Sequence, residues 1–180
     1  MRDLSLHILD IAENSINAGA KNIEIGIDEN IKKDLLTVNI SDDGIGMDAE
    51  MKEKVTDPFV TSRTTRRVGL GLPLLKLAAE IANGKLRIES VKGKGTKITA
   101  TFQLSHIDRK PIGKVSDTIL TLVAGNPEVN IKFRHKRNGY EFDFCSLEFY
   151  EKKRSEGLSS TEIIMMVKKH LNEYSSKIKT

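Results

Sequence analysis

The sequence has no long apolar run and only one cysteine among its 180 residues. Its apolar stretches are far shorter than the roughly 20 residues of a membrane-spanning helix, so we expect no such helix and no membrane partner. The first seven residues contain no apolar core followed by a small-residue cleavage site, so we expect no secretory signal. A lone Cys145 excludes an intramolecular disulfide and a cysteine-rich zinc site. These absences favour a protein of the reducing cytoplasm.

Several common nucleotide and metal signatures are also missing. No Gly-x-x-x-x-Gly-Lys-Ser/Thr segment is present, which excludes a Walker A loop. No Gly-x-Gly-x-x-Gly segment follows a predicted strand, so the dinucleotide fingerprint is absent as well. The four histidines (His7, His106, His135 and His170) do not form a metal-ligand spacing. We expect His7 to be a packed or surface residue of the first helix.

Charge is distributed unequally along the chain. Residues 1–105 carry 15 Lys or Arg and 15 Asp or Glu, whereas residues 106–180 carry 14 and 10. The whole excess of +4 therefore belongs to the C-terminal part. Its density is too low to indicate a nucleic-acid partner, so we expect a solvated surface there.

Apolar spacing predicts five helices and six strands. The helical period indicates helices over 4–18, 48–55, 72–82, 115–124 and 161–177. Alternation indicates strands over 22–28, 35–40, 85–91, 96–104, 130–136 and 140–144. The last two strands flank Asn138-Gly139, a strong hairpin signal. Residues 57–71 have no clear period and are predicted to be a mobile loop.

The order of these elements predicts an α+β fold. Helices interspersed with strands favour a two-layer α/β sandwich, in which a mixed β-sheet is covered by helices on one face. The polar stretch 106–113, which contains Pro111, is predicted to be a boundary. We therefore expect one domain over residues 1–105, followed by a small α/β extension over 106–180 made of a helix, a β-hairpin and a helix. The hairpin predicts either a docking surface for a partner or an ordinary half-buried hairpin.

Four clusters carry the chemistry. They are Asp10 to Gly19, Asp42-Asp43-Gly44-Ile45-Gly46-Met47, Asp57-Pro58-Phe59 through Leu72, and Gly93-Lys94-Gly95-Thr96. At these residues the sequence resembles the GHKL superfamily of ATP-binding domains, which includes histidine kinases, anti-sigma-factor kinases, type II topoisomerases, MutL-type ATPases and heat-shock chaperones. The resemblance covers residues 4–104 and implies the Bergerat fold, with ATP and Mg²⁺ as ligands. The first helix is most similar to the MutL type, and residues 57–80 are most similar to a histidine kinase.

The first helix supplies the predicted metal and base residues. Asp10, Asn14 and Asn17 are four and three residues apart, which places them on one helix face. The resemblance implies that Asn14 is the Mg²⁺ ligand, and an amide oxygen suits that ion. It places Asp10 where related families carry a glutamate that acts as general base, with Glu13 the less favoured base. A solvated polar stripe is the alternative, and for Asp10 it stays open.

The second cluster follows a predicted strand and supplies the base-binding residues. The resemblance implies that Asp42 accepts a hydrogen bond from the adenine amino group, where guanine presents a carbonyl oxygen instead. Gly44 and Gly46 would let the backbone approach the base, and Met47 would provide an apolar surface. An Asp-Gly turn that closes a hairpin is the alternative interpretation.

The third and fourth clusters are similar to an ATP lid and to the last box of the family. Within residues 57–71, Arg63 would neutralise the transferring phosphoryl group, whereas Arg66 and Arg67 match no family position. A helix that begins near Pro73 would direct free N–H groups at phosphate. The remaining nucleotide-binding candidates here are Thr61, Ser62, Gly69, Leu70, Gly71, Leu72 and Thr96. Thr96 is otherwise a hairpin-turn residue.

The resemblance implies two functions. One is a stand-alone kinase catalytic domain that transfers phosphate from ATP to a partner protein. The other is a module that hydrolyses ATP or switches with it, in some relatives as a homodimer. No helical hairpin with a phosphoacceptor histidine precedes the first helix in this sequence, so we expect the acceptor to lie on another protein or within residues 105–180.

Overall fold

The computed structural model describes residues 1–55 and 71–178. These ranges contain six α-helices, six strands and a short 3-10 helix at Ile31–Lys33. The helices are α1 (Leu4–Asn17), α2 (Ala49–Lys54), α3 (Gly71–Ile81), α4 (Val115–Gly125), α5 (Ser146–Glu156) and α6 (Ser160–Lys177). The strands are β1 (Asn22–Asn30), β2 (Leu35–Asp42), β3 (Lys85–Val91), β4 (Gly95–Gln103), β5 (Asn130–Arg137) and β6 (Tyr140–Cys145). No helix in the described ranges is long and apolar enough to cross a membrane.

All six strands belong to one sheet, in the order β3-β4-β2-β1-β5-β6. Neighbours are antiparallel except β1 and β5, which run parallel. Along the strands buried and exposed residues alternate, as in β1 and β4, because one face packs against the helices and the other meets solvent. The predicted α+β fold, a mixed sheet covered by helices, is confirmed.

Helix α1 begins and ends where its sequence dictates. The Asp3 side chain accepts a hydrogen bond from the Leu6 N–H at 3.2 Å and caps the first turn. Leu4, Ile8 and Ile11 are buried in the core. Since one side of the helix faces the core, its polar side faces outward beside the end of β2.

The C-terminal strands extend the sheet beyond β1. Ile25 on β1 is aligned with Phe133 on β5, and Phe133 is aligned with Phe144 on β6. Asn138, with a φ of 50°, and Gly139 form the turn that the sequence predicted. The predicted apolar face of the hairpin is buried, and Lys132 on the other face is exposed. The two parts of the chain thus share one sheet, whereas their division into domains at residue 105 stays a prediction.

One helix was not predicted from the sequence. Helix α5 has only one buried residue, Ser146, so it shows no apolar stripe. The Ser146 hydroxyl accepts a hydrogen bond from the Ile131 N–H at 2.8 Å. The helix ends at Gly157, whose φ of 68° suits glycine. Its position therefore depends on contacts with distant parts of the chain.

Candidate functional site

The predicted site residues of the first helix lie on α1. Asp10 and Asn14 are half-buried, whereas Asn17 and Glu13 are exposed. Because α1 is a regular helix over this range, Asp10 and Asn14 lie one turn apart on the same side. Their roles as base and metal ligand stay predictions.

The carboxylate of Asp10 contacts the start of α3. A Cβ atom at Gly71 would overlap Asp10 Oδ2, so only glycine leaves room for this carboxylate. Oδ2 is buried and has no hydrogen-bond partner among residues 1–55 and 71–178. Burial raises the pKa of Asp10, which makes its carboxylate a stronger base than an exposed aspartate. A buried carboxylate oxygen without a partner in the described ranges costs free energy of folding.

A second buried polar side chain lies one turn before Asp10. The His7 ring is fully buried, and both ring nitrogens lack a hydrogen-bond partner within the described ranges. Burial, together with the charge of Lys110, lowers the His7 pKa to about 4, although the nearby Gly71 backbone acts in the opposite direction. His7 is therefore neutral at pH 7. Of the two expected positions, packed or at the surface, His7 has the packed one.

Asp42, at the end of β2, is held by three hydrogen bonds. Its Oδ2 accepts from the Ser15 hydroxyl at 2.6 Å. Its Oδ1 accepts from the Gly44 N–H at 2.9 Å and the Thr96 N–H at 3.3 Å. An ionised carboxylate has about four acceptor positions, so the described residues leave one position on Oδ2 for a further donor. This arrangement fits the exocyclic amino group of adenine.

The glycines of the second cluster have a structural role in addition to the predicted one. Gly46 has a φ of 63°, and a Cβ there would overlap the Val91 carbonyl oxygen. A Cβ at Gly44 would lie 3.0 Å from the Ala18 carbonyl oxygen. The loop over residues 42–47 therefore packs closely between the end of α1 and the β3–β4 turn.

Hydrogen bonds connect this loop to the β3–β4 turn. The Met47 N–H donates to Ser90 Oγ at 2.8 Å, and Ser90 Oγ lies 2.9 Å from Thr96 Oγ1. The Gly93 N–H donates to the Ile45 carbonyl at 2.7 Å. Thr96 is thus placed beside Asp42 by its backbone and beside Ser90 by its hydroxyl. The second and fourth sequence clusters form one hydrogen-bonded unit.

Two residues of this unit, Ser15 and Ser90, were missed from the sequence. Ser15 follows Asn14 on the core side of α1 and is only 4% exposed. A buried hydroxyl needs a partner, which was the available signal. Ser90 alternates with exposed residues on an edge strand and gave no signal of its own.

Part of the predicted site lies outside the described residues. This part comprises Thr61, Ser62, Arg63, Gly69 and Leu70, together with Arg66, Arg67 and the rest of the predicted mobile loop except Gly71. Leu72, which was predicted to contact the nucleotide, has its side chain buried in the core of the protein. Its backbone lies in the first turn of α3, the helix predicted to direct N–H groups at phosphate.

The donor set on these elements limits the kind of metal site. No group of three or more His, Cys, Asp and Glu side chains in the described ranges could hold a metal ion. Asn14 offers an amide oxygen, and Mg²⁺ is commonly held by one or two protein oxygens together with water and phosphate oxygens. The residues present therefore fit a magnesium ion that arrives with a nucleotide.

Curated relatives match about half of the chain. A sensor protein kinase WalK of Staphylococcus haemolyticus is 35% identical over 95 residues, which are 50% of this chain and 16% of the relative. A putative sensor protein of Shewanella frigidimarina is 31% identical over 103 residues, which are 56% of this chain and 16% of the relative. The chain thus spans about a sixth of these relatives.

Solved structures are similar over a longer part of the chain. The Aquifex aeolicus MutL ATPase domain complexed with ADP has a TM-score of 0.51, with 18% identity over 80% of this chain and 64% of that one. The N-terminal domain of a DNA repair protein has a TM-score of 0.56, with 17% identity over 79% of this chain and 52% of that one. These shares exceed what residues 2–106 alone could supply, so the shared fold extends into the C-terminal part.

A family model gives the assignment. Residues 2–106, more than half of the chain, match the family described as histidine kinase-, DNA gyrase B-, and HSP90-like ATPase. The strand that ends in Asp42, the glycine-bearing loop and α1 all lie inside this match. The chain therefore belongs to the histidine kinase-, DNA gyrase B-, and HSP90-like ATPase family.

Proposed function

We propose that the protein binds ATP with Mg²⁺ and transfers the γ-phosphoryl group to a hydroxyl group of a partner protein. The observation that carries the proposal is the acceptor position on Asp42 Oδ2 that the three hydrogen bonds from described residues leave open, at the start of a glycine-bearing loop. Family membership supports it independently.

Asp42 would select the base. The adenine amino group can donate to Oδ2, whereas guanine would present a carbonyl oxygen to the same carboxylate. Two acceptors facing each other in a half-buried site leave both unpaired, which discriminates strongly. Met47, which packs partly against the core, would supply an apolar surface to the base.

Asn14 would hold the metal ion. When bound, Mg²⁺ neutralises negative charge on the phosphates. Asn14 is adjacent on α1 to Ser15, whose hydroxyl donates to Asp42 Oδ2, and this proximity supports a shared site for the metal ion and the base. Arg63 remains the predicted cation for the transferring phosphoryl group, from its sequence alone.

Asp10 would act as the general base. Its carboxylate lies against the start of α3, and its pKa is raised by burial. It would take the proton from an acceptor hydroxyl as that oxygen attacks the γ-phosphorus, while the bond from this phosphorus to the bridging oxygen breaks and ADP leaves. A histidine acceptor would need less help from a base, so a retained carboxylate favours a hydroxyl acceptor.

The second candidate function is ATP hydrolysis that switches a protein interaction, including formation of a homodimer. Fold similarity to the MutL ATPase domain over 80% of the chain favours it, because the shared fold includes part of the C-terminal extension. Asp10 would then take its proton from water.

One experiment distinguishes the two candidates. The protein is incubated with γ-labelled ATP and Mg²⁺, with and without a bacterial extract as a source of acceptors, and the label is followed. Label on protein supports phosphoryl transfer, whereas free phosphate alone supports hydrolysis. The Asp10→Asn variant is the matched control, since it should lose either activity and keep ATP binding. Absence of ATP binding by the wild type in calorimetry would contradict both.

A further inference from the structure

A chain of hydrogen bonds leads from the C-terminal hairpin to the loop that carries Asp42. Cys145 Sγ donates to Asn130 Oδ1 at 3.4 Å, and Asn130 Nδ2 donates to Asn22 Oδ1 at 3.1 Å. Asn22 Nδ2 then donates to Asp43 Oδ2 at 2.7 Å. These residues lie on β6, on β5, on β1 and directly after β2, at the same end of four neighbouring strands. This series of hydrogen bonds therefore connects the C-terminal strands β5 and β6 to the loop of the predicted adenine pocket.

The two asparagines have a fixed orientation because each amide both accepts and donates. The Asn22 oxygen accepts from Asn130 while its nitrogen donates to Asp43. If the Asn22 amide turned over, its oxygen would face the Asp43 carboxylate and its nitrogen would face the Asn130 nitrogen. Both contacts would then be repulsive. Asn130 thus fixes which group Asn22 presents to Asp43.

Asp43 in turn anchors the start of the 42–47 loop. Its Oδ1 accepts from the Lys21 N–H at 2.7 Å and the Asn22 N–H at 2.9 Å. Burial acts to raise the Asp43 pKa, but hydrogen bonds from Asn22 and Lys21 outweigh it and lower the pKa. The ionised Asp43 holds the peptide that follows Asp42 against the first residues of β1.

We propose that Asn22 and Asn130 are positioning residues for nucleotide binding, acting through Asp43 on the orientation of Asp42. The proposal rests on the function proposed above, since it needs ATP to bind at Asp42. In this proposal the C-terminal hairpin is a structural part of the nucleotide site. Its strand β5 supplies Asn130, which orients the Asn22 side chain that binds Asp43. Neither asparagine is proposed to contact the base itself.

Calorimetric titration with ATP and Mg²⁺ tests this on the full chain. Asn130→Ala and Asn22→Ala should each weaken ATP binding by about 3- to 10-fold, the effect of one net hydrogen bond. Asn130→Asp keeps the shape of the side chain but cannot donate, so it should weaken binding at least as much. Lys132→Ala is the matched control, because the Lys132–Glu24 ion pair, 3.2 Å long, joins the same two strands one alternation further from the loop. It should leave ATP affinity unchanged.

Four results decide the matter. Equal ATP affinity in the wild type and both asparagine variants would overturn the proposal, whereas absence of binding by the wild type would overturn the proposed function instead. The proposal would also be overturned if Asn130→Ala and Lys132→Ala lost ATP affinity equally and their unfolding temperatures fell in proportion. Such losses would reflect a general weakening of the pairing between β1 and β5. The Asn22→Ala/Asn130→Ala double variant should bind no more weakly than Asn22→Ala, because both residues act through one contact; additive losses would contradict this.

Discussion

Two regions of the molecule bury ionisable side chains, and they treat them oppositely. Where β1, β5 and α6 meet, His135 Nε2 lies 3.0 Å from Glu29 Oε1 and His135 Nδ1 lies 2.6 Å from the Tyr174 hydroxyl. Where α1 meets α3, both nitrogens of His7 and one oxygen of Asp10 have no partner in the described ranges. One region satisfies its buried polar groups, and the other leaves them open.

The difference separates structural from chemical roles. Glu29 Oε1 contacts one ring nitrogen of His135 and the Tyr174 hydroxyl contacts the other, so the three groups form a closed chain. Such networks hold elements together and leave no position for a ligand. Open groups cost stability wherever they occur, and they are retained where chemistry needs them. By this criterion we expect the α1–α3 junction to be part of the nucleotide site and the β1–β5–α6 junction to attach α6.

Replacing the base should have the largest effect. Asp10→Asn keeps the side-chain shape but cannot accept a proton, so turnover of ATP should fall about 1,000-fold, within the usual range for a lost general base. Affinity for ATP, measured by calorimetry, should stay within about 2-fold, because the variant leaves the Asp42 contacts intact. Equal turnover in variant and wild type would remove Asp10 from the mechanism.

The raised pKa of Asp10 also predicts the acid limb of the activity. Only the ionised carboxylate can take a proton, so turnover should fall as the pH drops through the Asp10 pKa. This pKa is raised by burial, so the fall should begin at a higher pH than for an exposed aspartate. A pH profile of initial rates checks it, and an acid limb at the pKa of an ordinary aspartate would contradict it.

Removing the base-binding carboxylate should have the next largest effect. Asp42→Asn presents an amide nitrogen near the adenine amino group or loses the contact with Ser15, so ATP affinity should fall about 100-fold or more. Affinity for GTP should fall less, because an amide can donate to the guanine carbonyl. Calorimetry with both nucleotides measures the ratio. An unchanged ATP affinity would show that Asp42 does not bind the base.

Most of the fold could be predicted from the sequence because its signals are local. Apolar period placed α1 and β1, and Asn138-Gly139 placed the β5–β6 hairpin within a residue or two of its observed bounds. The parallel pairing of β5 with β1 could not be predicted, since residues 22 and 130 are aligned by packing rather than by any turn between them. Helix α5 could not be predicted either, because it has no apolar stripe.

The same contrast applies to the candidate site. Asp42 and Asn14 stood out because glycine-rich and helical motifs surround them in the sequence. Ser15 and Ser90 did not, because their partners lie on elements far apart in the chain. Pairing of polar side chains across strands depends on register, and a shift of one residue would turn each side chain to the other face. The candidate ligand-binding groups could therefore be predicted from the sequence, whereas the residues that hold Asp42 and Thr96 in place could not.

The α1–α3 junction, which buries His7, should make the stability of the protein sensitive to acid. Burial lowers the His7 pKa from 6.5 to about 4, so between these values the unfolded chain binds a proton that the folded chain does not. The free energy of unfolding should therefore fall by about 2–3 kcal/mol as the pH drops from 6.5 to 4. In His7→Leu this contribution should be absent, whereas His106→Gln, on the linker before α4, should behave like the wild type. Urea unfolding across this pH range measures the difference, and parallel curves for all three proteins would contradict it.

A substitution at the junction of β1, β5 and α6 should have the smallest effect, and this effect should be confined to stability. Tyr174→Phe removes the hydroxyl that His135 Nδ1 contacts and leaves a buried ring nitrogen without its partner, so the free energy of unfolding should fall by about 1–2 kcal/mol. The phenyl ring keeps the stacked contact with Phe142, whose centroid lies 4.5 Å away, so the aromatic packing of α6 is preserved. ATP affinity and turnover should not change, because none of the described residues proposed for the nucleotide site contacts this junction. Denaturant unfolding together with ATP titration checks both halves, and a loss of ATP affinity in Tyr174→Phe would show that the two regions are coupled.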